Sequence, residues 1–288
     1  MTPHGFRRLM LAIPWAWAVI LFLLPLAVIL KISLAETAVG VPPYTPLIDR
    51  GVLGATAANY RTVFTDSFYA GAYLGSLKIA ALATVIALLA GYPMAYAIAR
   101  APERRRGLLL LLVTLPFWTS LLIRVYAWIG LLRPGGVINT LLESAGLIDA
   151  PLRLINTTGA VCLGMVYAYL PFMVLPLYAR LERLDPALIE AASDLGAKPW
   201  RAFLSVTLPL SLPGVAAGCL LVFIPCVGEF VIPDLLGGPD TVMIGKVLWS
   251  EFFSSRDWPL SAALTVVMMA VLVIPALALQ RVLAEEGR

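Results

Sequence analysis

The chain has few charged residues, and this limits the class of protein to which it can belong. Only 13% of its 288 residues are charged and 60% are hydrophobic, whereas the surface of a soluble domain needs about 25% charged residues. The single histidine, His4, excludes a histidine-based catalytic triad or metal cluster. The three cysteines all lie in apolar runs, which argues against a disulfide framework or zinc site. We therefore predict no catalytic residues and no metal ligands.

Much of the chain consists of long apolar runs without charged residues. About 20 apolar residues suffice to cross a hydrocarbon core of about 30 Å. The sequence predicts an all-α, polytopic membrane protein with about six transmembrane helices in a single domain, 1–288. The predicted spans are about 9–32, 73–99, 107–132, 155–180, 213–233 and 258–281. The first run is longer than the apolar core of a signal peptide, so we expect it to be retained as a span.

Lys and Arg predict the orientation, because they concentrate in cytoplasmic loops. With an inner N-terminus, the segments containing Arg7–Arg8, Arg100–Arg106, Arg180–Arg201 and Arg281–Arg288 are cytoplasmic. The outer loops are longer but carry fewer basic residues. We therefore expect both termini to be cytoplasmic, with a cytoplasmic loop at about 181–212.

That loop contains a short polar stretch with clear helix boundaries. Asp185 is a good N-cap, Pro186 suits the first helical position, and Gly196 suits the left-handed residue that ends a helix. They predict a helix over Pro186–Leu195, which is too short to be stable alone in water. Its apolar face and its separate acidic face favour docking on a partner over resting on the membrane, since interfacial helices prefer basic polar faces.

These residues carry a family resemblance. Glu190-Ala191-Ala192, three residues, Gly196, nine residues and Val206-Thr207-Leu208-Pro209 resemble the EAA loop of ABC importer permeases, with Val206 where Ile is usual. The resemblance implies the type I permease fold, with this short helix as the coupling helix that sits in a groove of the ATPase. The residues that it assigns to ATPase coupling are Leu188, Glu190, Ala191, Ala192, Asp194, Leu195 and Gly196.

Other stretches extend the resemblance along most of the chain. "LPFWTSLLIRVYAWIGLL" and "GEFVIPDLLGGPDTVMIGKVLWSEFF" resemble the putrescine/spermidine permeases, most closely the putrescine branch. Many members have Asn where Gly75 stands, a difference that we expect to cost one helix-start hydrogen bond. The implied function is import of a polyamine across the bacterial inner membrane by alternating access. Alternatives are import of another small organic solute, such as an amino-acid derivative, or ion-coupled secondary transport.

The sequence contains no phosphate-binding loop of the form G-x-x-x-x-G-K-[ST], so ATP and Mg must be bound elsewhere. We expect no cofactor in this chain. The resemblance implies an ATPase dimer, a second homologous permease and a periplasmic substrate-binding protein as partners, besides membrane lipid. Nucleic acid is not among the expected partners. Ion-coupled transport predicts carboxylates within the membrane in both halves of the chain, and we find Glu229 alone.

Ionisable residues within membrane spans are functional candidates. Glu229 either lines the substrate path and neutralises an ammonium group, or forms a structural ion pair with Arg124. Arg124 is expected to be structural, and Pro225, close before Glu229, is the candidate hinge for gating. Rings that could bind a cation and a further acidic group complete the substrate-path candidates, which are Trp118, Tyr126, Trp249 and Asp234.

Overall fold

The fold is almost entirely helical. The computed structural model describes residues 12, 14–49 and 52–286. Within them, the β-structure consists of an antiparallel hairpin of two residues per strand, β1 (Ile48–Asp49) and β2 (Val52–Leu53), and one isolated bridge between Thr37 and Tyr44. The predicted all-α class is confirmed.

The helices are joined by connections of different lengths, and the longest lies between Ser33 and Ala58. In chain order they are α1 (Pro14–Ser33), α2 (Ala58–Thr65), α3 (Ser67–Arg100), α4 (Glu103–Thr114), α5 (Leu121–Leu132), α6 (Val137–Ser144), α7 (Thr158–Leu181), α8 (Pro186–Asp194), α9 (Pro199–Ala202), α10 (Leu208–Val227), α11 (Val231–Leu236), α12 (Ile244–Trp249) and α13 (Trp258–Glu286). Turns of π-helix occur at Val19–Leu23, Phe203–Thr207 and Ser250–Ser254.

Six segments of the described chain are long and apolar enough to cross a membrane. They are Pro14–Ser33, Ser67–Arg100, Leu121–Ser144, Thr158–Leu181, Pro199–Val227 and Trp258–Leu277. The number matches the prediction, but several boundaries differ. The second begins at Ser67 rather than at about residue 73, and the start predicted for the first, residues 9–11, lies outside the described part.

The third predicted span, 107–132, is not one helix. Helix α4 runs into a 3-10 turn at Leu115–Trp118, and α5 starts at Leu121 after two extended residues. Pro116 has no N–H for the helical ladder, which explains the break at this point. The segment that meets the criteria for a span is instead Leu121–Ser144, in which a turn at 133–136 separates α5 from α6.

The fifth span also differs from its predicted range, 213–233. Helical residues run from Pro199 through the π turn and α10 to Val227, and the chain then leaves the helix. Residues Val231–Leu236 form the separate helix α11. Glu229 therefore lies in the connection between two helices, and not within a spanning helix.

The described residues group into two compact units. One comprises residues up to Gly71 with Val247–Leu277, and the other comprises Ala72–Lys246 with the residues after Leu277. The second unit is centred on α7. In the most apolar 18-residue stretch of α7, 56% of the residues are buried, compared with 6% in that of α1. The prediction of a single domain therefore stays a prediction.

Small residues bring the helices of the second unit close together. A Cβ at Gly218 of α10 would lie 2.8 Å from Sδ of Met173 in α7, and one at Gly91 of α3 would lie 2.9 Å from Cγ of Met173. Gly214, one turn before Gly218, similarly faces the Cβ of Arg180 at 2.9 Å. Met173 is fully buried, and it therefore joins three helices at a point where two glycines make room for it.

Gly75 has a different role from the expected one. It lies more than two turns inside α3, so it makes no helix-start hydrogen bond. A Cβ at this position would lie 2.7 Å from the carbonyl oxygen of Val242. The neighbouring Ser76 hydroxyl accepts a hydrogen bond from the N–H of Ile244 at 2.7 Å. Gly75 thus allows the 242–244 backbone to lie directly on α3.

In the other unit, the start of α13 is fixed by Asp257. Its Oδ1 accepts hydrogen bonds from the N–H of Leu260 at 3.1 Å and from the Thr37 hydroxyl at 2.8 Å. The rings of Phe252 and Trp258 stack with centroids 4.9 Å apart. The hydrogen bond from Thr37 thus ties the connection that follows α1 to the start of α13.

Candidate functional site

Helix α8 has the caps that its sequence predicts. The Asp185 carboxylate accepts a hydrogen bond from the N–H of Ala187 at 2.9 Å. At the other end, Gly196 has a φ of +82°. The N–H of Gly196 donates to the Ser193 carbonyl, and that of Ala197 donates to the Ala192 carbonyl, which is the hydrogen-bond pattern of a Schellman motif. The helix ends at Asp194, with Leu195 as its C-cap.

The surface of α8 is open. Leu188 is 47% exposed and Leu195 is 90% exposed, although both lie on the predicted apolar face. Glu190, Ala191 and Asp194 are exposed as well, whereas Ala192 is half-buried. The residues assigned to coupling therefore form a surface that the described part of this chain does not cover.

A groove lies directly beyond the C-terminal end of α8. Its volume is about 470 Å³. The residues that line it are Leu195, Gly196, Ala197, Trp200, Arg201, Leu204 and Ser205. Sequence reasoning identified Leu195 and Gly196, but it did not identify the groove, which is formed by α9 and the π turn that follows.

The π turn at Phe203–Thr207 connects this surface to α3. The Phe203 ring lies edge-on to Tyr92 and Tyr96, with centroids 5.6 Å and 6.1 Å away. The Arg100 guanidinium lies 5.5 Å from the centroid of Tyr96, and the Tyr92 hydroxyl is 2.9 Å from that of Ser211. These contacts fix the 199–207 segment against the end of a long membrane helix.

The second candidate site surrounds Glu229, which is only 8% exposed. Oε1 accepts hydrogen bonds from the N–H groups of Phe230 and Val231 at 3.1 Å and 3.0 Å. Oε2 accepts a hydrogen bond from the Tyr169 hydroxyl. These three donors satisfy the carboxylate, as buried polar groups normally require. Glu229 thereby orders the start of α11.

The proposed ion pair between Arg124 and Glu229 is not formed. Nε and Nη1 of Arg124 are buried without a hydrogen-bond partner. The guanidinium instead lies 5.4 Å from the ring centroid of Phe117 and 5.9 Å from that of Tyr167. The ion-pair alternative is therefore excluded. It assumed one continuous helix over 107–132, whereas the chain leaves the helix at 115–120.

The remaining substrate-path candidates lie in different surroundings. Trp118 is 77% exposed and Tyr126 is 60% exposed. Asp234 forms an ion pair with Lys246 at 3.1 Å. Trp249 belongs to the other compact unit, where its ring centroid is 4.1 Å from that of Phe253.

The candidate hinge, Pro225, is half-buried and lies two residues before the end of α10. The structure thus places it next to a helix end. Cys162, Cys219 and Cys226 are free. Among the described residues, the structure has no group of three His, Cys, Asp or Glu side chains that could hold a metal ion.

Sequence reasoning missed Tyr169, which is the side-chain partner of Glu229. Tyr169 lies within an apolar run and carries no charge or motif. Its one signal is the hydroxyl, which a buried tyrosine normally pairs with an acceptor. In the structure, the Tyr169 hydroxyl donates its hydrogen bond to Glu229.

Six apolar segments, with an open, capped helix between the fourth and the fifth, define the class: a multi-pass membrane protein. Residues 87–286 match the family described as "Binding-protein-dependent transport system inner membrane component". The chain belongs to this family, whose members are inner-membrane permease subunits of ABC transporters and not enzymes themselves.

Relatives match over most of the chain. The spermidine/putrescine transport system permease protein PotB of Haemophilus influenzae is 42% identical over 273 residues, which are 94% of this chain and 92% of the relative. PotB of Escherichia coli is 44% identical over 223 residues, 76% of this chain and 81% of the relative. The molybdenum transport system permease protein ModB of Azotobacter vinelandii is 32% identical over 57% of this chain.

A solved structure has the same fold. It is a bacterial ABC transporter involved in the import of the acidic polysaccharide alginate, with a TM-score of 0.75 at 17% identity. The match covers 96% of this chain and 94% of that one. At this identity the likeness concerns the fold alone.

Proposed function

We propose that this chain is the permease subunit of an ATP-driven importer that carries a polyamine, putrescine or spermidine, across the bacterial inner membrane. The observation that carries the proposal is its 42% identity, over 94% of its length, to a relative named as a spermidine/putrescine permease. Family membership also argues against the ion-coupled alternative, since the family is defined by dependence on a binding protein.

The partners follow from what the chain does not contain. Its sequence has no phosphate-binding loop, so ATP and Mg are bound by a separate ATPase dimer. Helix α8 is the part that docks on the ATPase. The caps of the helix support this docking, and so does the exposure of Leu188 and Leu195. Exposed apolar side chains that lie together mark a site of contact with another protein. Both termini and α8 are then cytoplasmic, as the basic residues indicate.

The solute passes between this chain and a second, homologous permease by alternating access, after a periplasmic binding protein has delivered it. The exposed rings of Trp118 and Tyr126 are proposed to face that path, where they bind an ammonium group through cation–π contact. Glu229 is proposed to neutralise an ammonium group from a buried position, in which Tyr169 holds its carboxylate. Movement at Pro225 would shift the segment that carries Glu229.

The test is uptake into proteoliposomes that contain this chain with its second permease, ATPase and binding protein. We expect ATP-dependent accumulation of radiolabelled putrescine or spermidine, with unlabelled polyamine competing and amino acids not competing. ATP-dependent uptake of an amino-acid derivative in place of polyamines would identify another small organic solute as the substrate. Accumulation without ATP would contradict the proposed energy source.

A further inference from the structure

An ion pair joins the two short helices that follow α10. Nζ of Lys246, in α12, lies 3.1 Å from Oδ1 of Asp234, in α11. The two side chains are 45% and 55% exposed, respectively, so the pair is accessible from outside the chain. Ion pairs between exposed groups add little to stability. The exchange of Lys246 for a dissolved cation therefore costs the fold little.

The pair lies beside Glu229. A Cβ at Gly245 would lie 2.5 Å from the carbonyl oxygen of Glu229, so the backbone next to Lys246 lies directly on that of Glu229. Asp234 lies in the first turn of α11, which begins just after Glu229. An exposed carboxylate and a carboxylate that is only 8% exposed thus lie in one short segment of one compact unit.

Helix α10 places this segment at the outer face of the membrane. Its 20 residues extend about 30 Å at 1.5 Å per residue, which is about the thickness of the hydrocarbon core. In the proposed orientation, α10 starts at the cytoplasmic loop. Its end, and the segment 228–246 that follows, therefore reach the outer boundary, where a solute from the periplasm begins its passage.

The segment has more negative than positive charge. Residues 228–246 include three acidic side chains, Glu229, Asp234 and Asp240, and one basic side chain, Lys246. Among the described residues, Glu229 has three hydrogen-bond donors but no cationic partner. The side chain of a lysine is a primary ammonium group on four methylene groups, which is the group that a four-carbon diamine carries at each end. A diamine thus offers Asp234 the same contact and brings a second ammonium group for another carboxylate.

We propose that Asp234 receives one ammonium group of the solute, and that Lys246 is a tethered competitor for this carboxylate. The proposal rests on the proposed function and adds to it a source of selectivity. A tethered group acts at an effective concentration of about millimolar, so a dissolved monoamine, which offers only the same contact, displaces it poorly. A diamine displaces it, because its second ammonium group gains a further carboxylate that Lys246 cannot contact at the same time.

Binding of radiolabelled putrescine tests the proposal in nanodiscs that contain the two permeases and the ATPase. The binding protein is left out, so that the measured affinity is that of the membrane complex, and the ionic strength is kept constant. Asp234→Asn, Lys246→Met and the double variant form a mutant cycle, in which coupling appears as a deviation from additivity. Lys246→Arg keeps the tethered charge. Glu182→Gln is the matched control, because it breaks another ion pair of 3.1 Å, with Arg106.

We expect Lys246→Met to bind putrescine about fivefold more tightly and Asp234→Asn about fivefold more weakly, the upper effect of an exposed ion pair. In the Asp234→Asn background, Lys246→Met should give no gain. Butylamine at an equal concentration should compete with putrescine for Lys246→Met. It should not compete for the unsubstituted chain, Lys246→Arg or Glu182→Gln.

Unchanged putrescine binding in Lys246→Met would overturn the proposal, and so would an equal gain from this substitution in the Asp234→Asn background. Absence of putrescine binding to every variant would overturn it as well. The proposed function is judged separately, by ATP-dependent polyamine uptake of the unsubstituted chain with its binding protein. If that uptake persists while the binding results fail, only the role of Asp234 and Lys246 is wrong.

Discussion

The hydroxyl of Tyr169, in the middle of α7, donates a hydrogen bond to the carboxylate of Glu229, in the connection between α10 and α11. The other carboxylate oxygen accepts the N–H groups of Phe230 and Val231. One buried charge therefore joins the central helix of its unit to the start of α11. An isolated carboxylate would be costly in this environment, and these three donors make it tolerable.

Tyr169→Phe tests this arrangement. The substitution removes one of three donors and leaves the carboxylate less well satisfied, at a cost of about 1–3 kcal/mol. We expect a lower unfolding temperature in detergent and a reduced rate of polyamine uptake. Tyr126→Phe is the control, because Tyr126 is 60% exposed, and it should leave the unfolding temperature unchanged.

Glu229→Gln separates the structural from the functional role. The amide oxygen can keep the two backbone N–H donors, so we expect assembly with the partners to persist. The loss of negative charge should lower diamine transport by about tenfold, the effect of about 1.4 kcal/mol in binding. Uptake and complex recovery are measured on the same preparation. If the complex cannot be recovered, Glu229 is structural, and the path assignment fails.

Gly218→Val tests the close contact of α7 and α10. The added Cβ would lie 2.8 Å from Sδ of Met173 and 3.1 Å from its carbonyl oxygen. Forcing extra carbon into such a packed core costs about 1–3 kcal/mol. We expect a clear fall in unfolding temperature, partly restored in the double variant with Met173→Ala. Gly130→Ala is the control, since nothing lies within 4 Å of its added Cβ, and an equal fall there would contradict the explanation.

How far the sequence predicts this molecule depends on how local each signal is. Asp185 and Gly196 act within one turn of their own helix, and the predicted helix ends within one residue of the observed one. The six apolar segments are equally local. To predict whether Arg124 contacts Glu229, one needs the path of the backbone, and the chain leaves the helix near Pro116.

Other features depend on what the chain meets after folding. No charge or motif in the sequence distinguishes Tyr169, and its role depends on α7 lying beside residue 229. Gly75 has no local conformational role, and its importance appears only when the Val242 carbonyl lies on α3. The groove at 195–205 is formed where the end of α8 meets α9 and the π turn that follows. Contacts between distant segments are invisible to spacing and composition in a single sequence.

Gly75→Ala measures one of these distant contacts. Its Cβ would lie 2.7 Å from the Val242 carbonyl oxygen, and backbone cannot move aside as a side chain can. We expect a loss of about 1–3 kcal/mol, read as a lower unfolding temperature. Gly71→Ala, in the same helix and with open space around its added Cβ, should be neutral or slightly stabilising, because Ala favours helix over Gly. Equal effects at the two positions would show that helix propensity, and not the close approach, decides.

Glu190→Lys tests the coupling role of α8. Glu190 is exposed, and among the described residues its side chain forms no hydrogen bond or ion pair that the substitution would break. Membrane insertion and the unfolding temperature should therefore be unchanged. Reversing a charge in an interface typically costs several kcal/mol through like-charge contact. We therefore expect ATPase co-purification and ATP-driven uptake both to fall by about tenfold or more. Glu143→Lys makes the same reversal at an exposed position on α6 and should behave like the unsubstituted chain. Unchanged uptake together with unchanged ATPase association in Glu190→Lys would refute the assignment of α8 as the coupling helix.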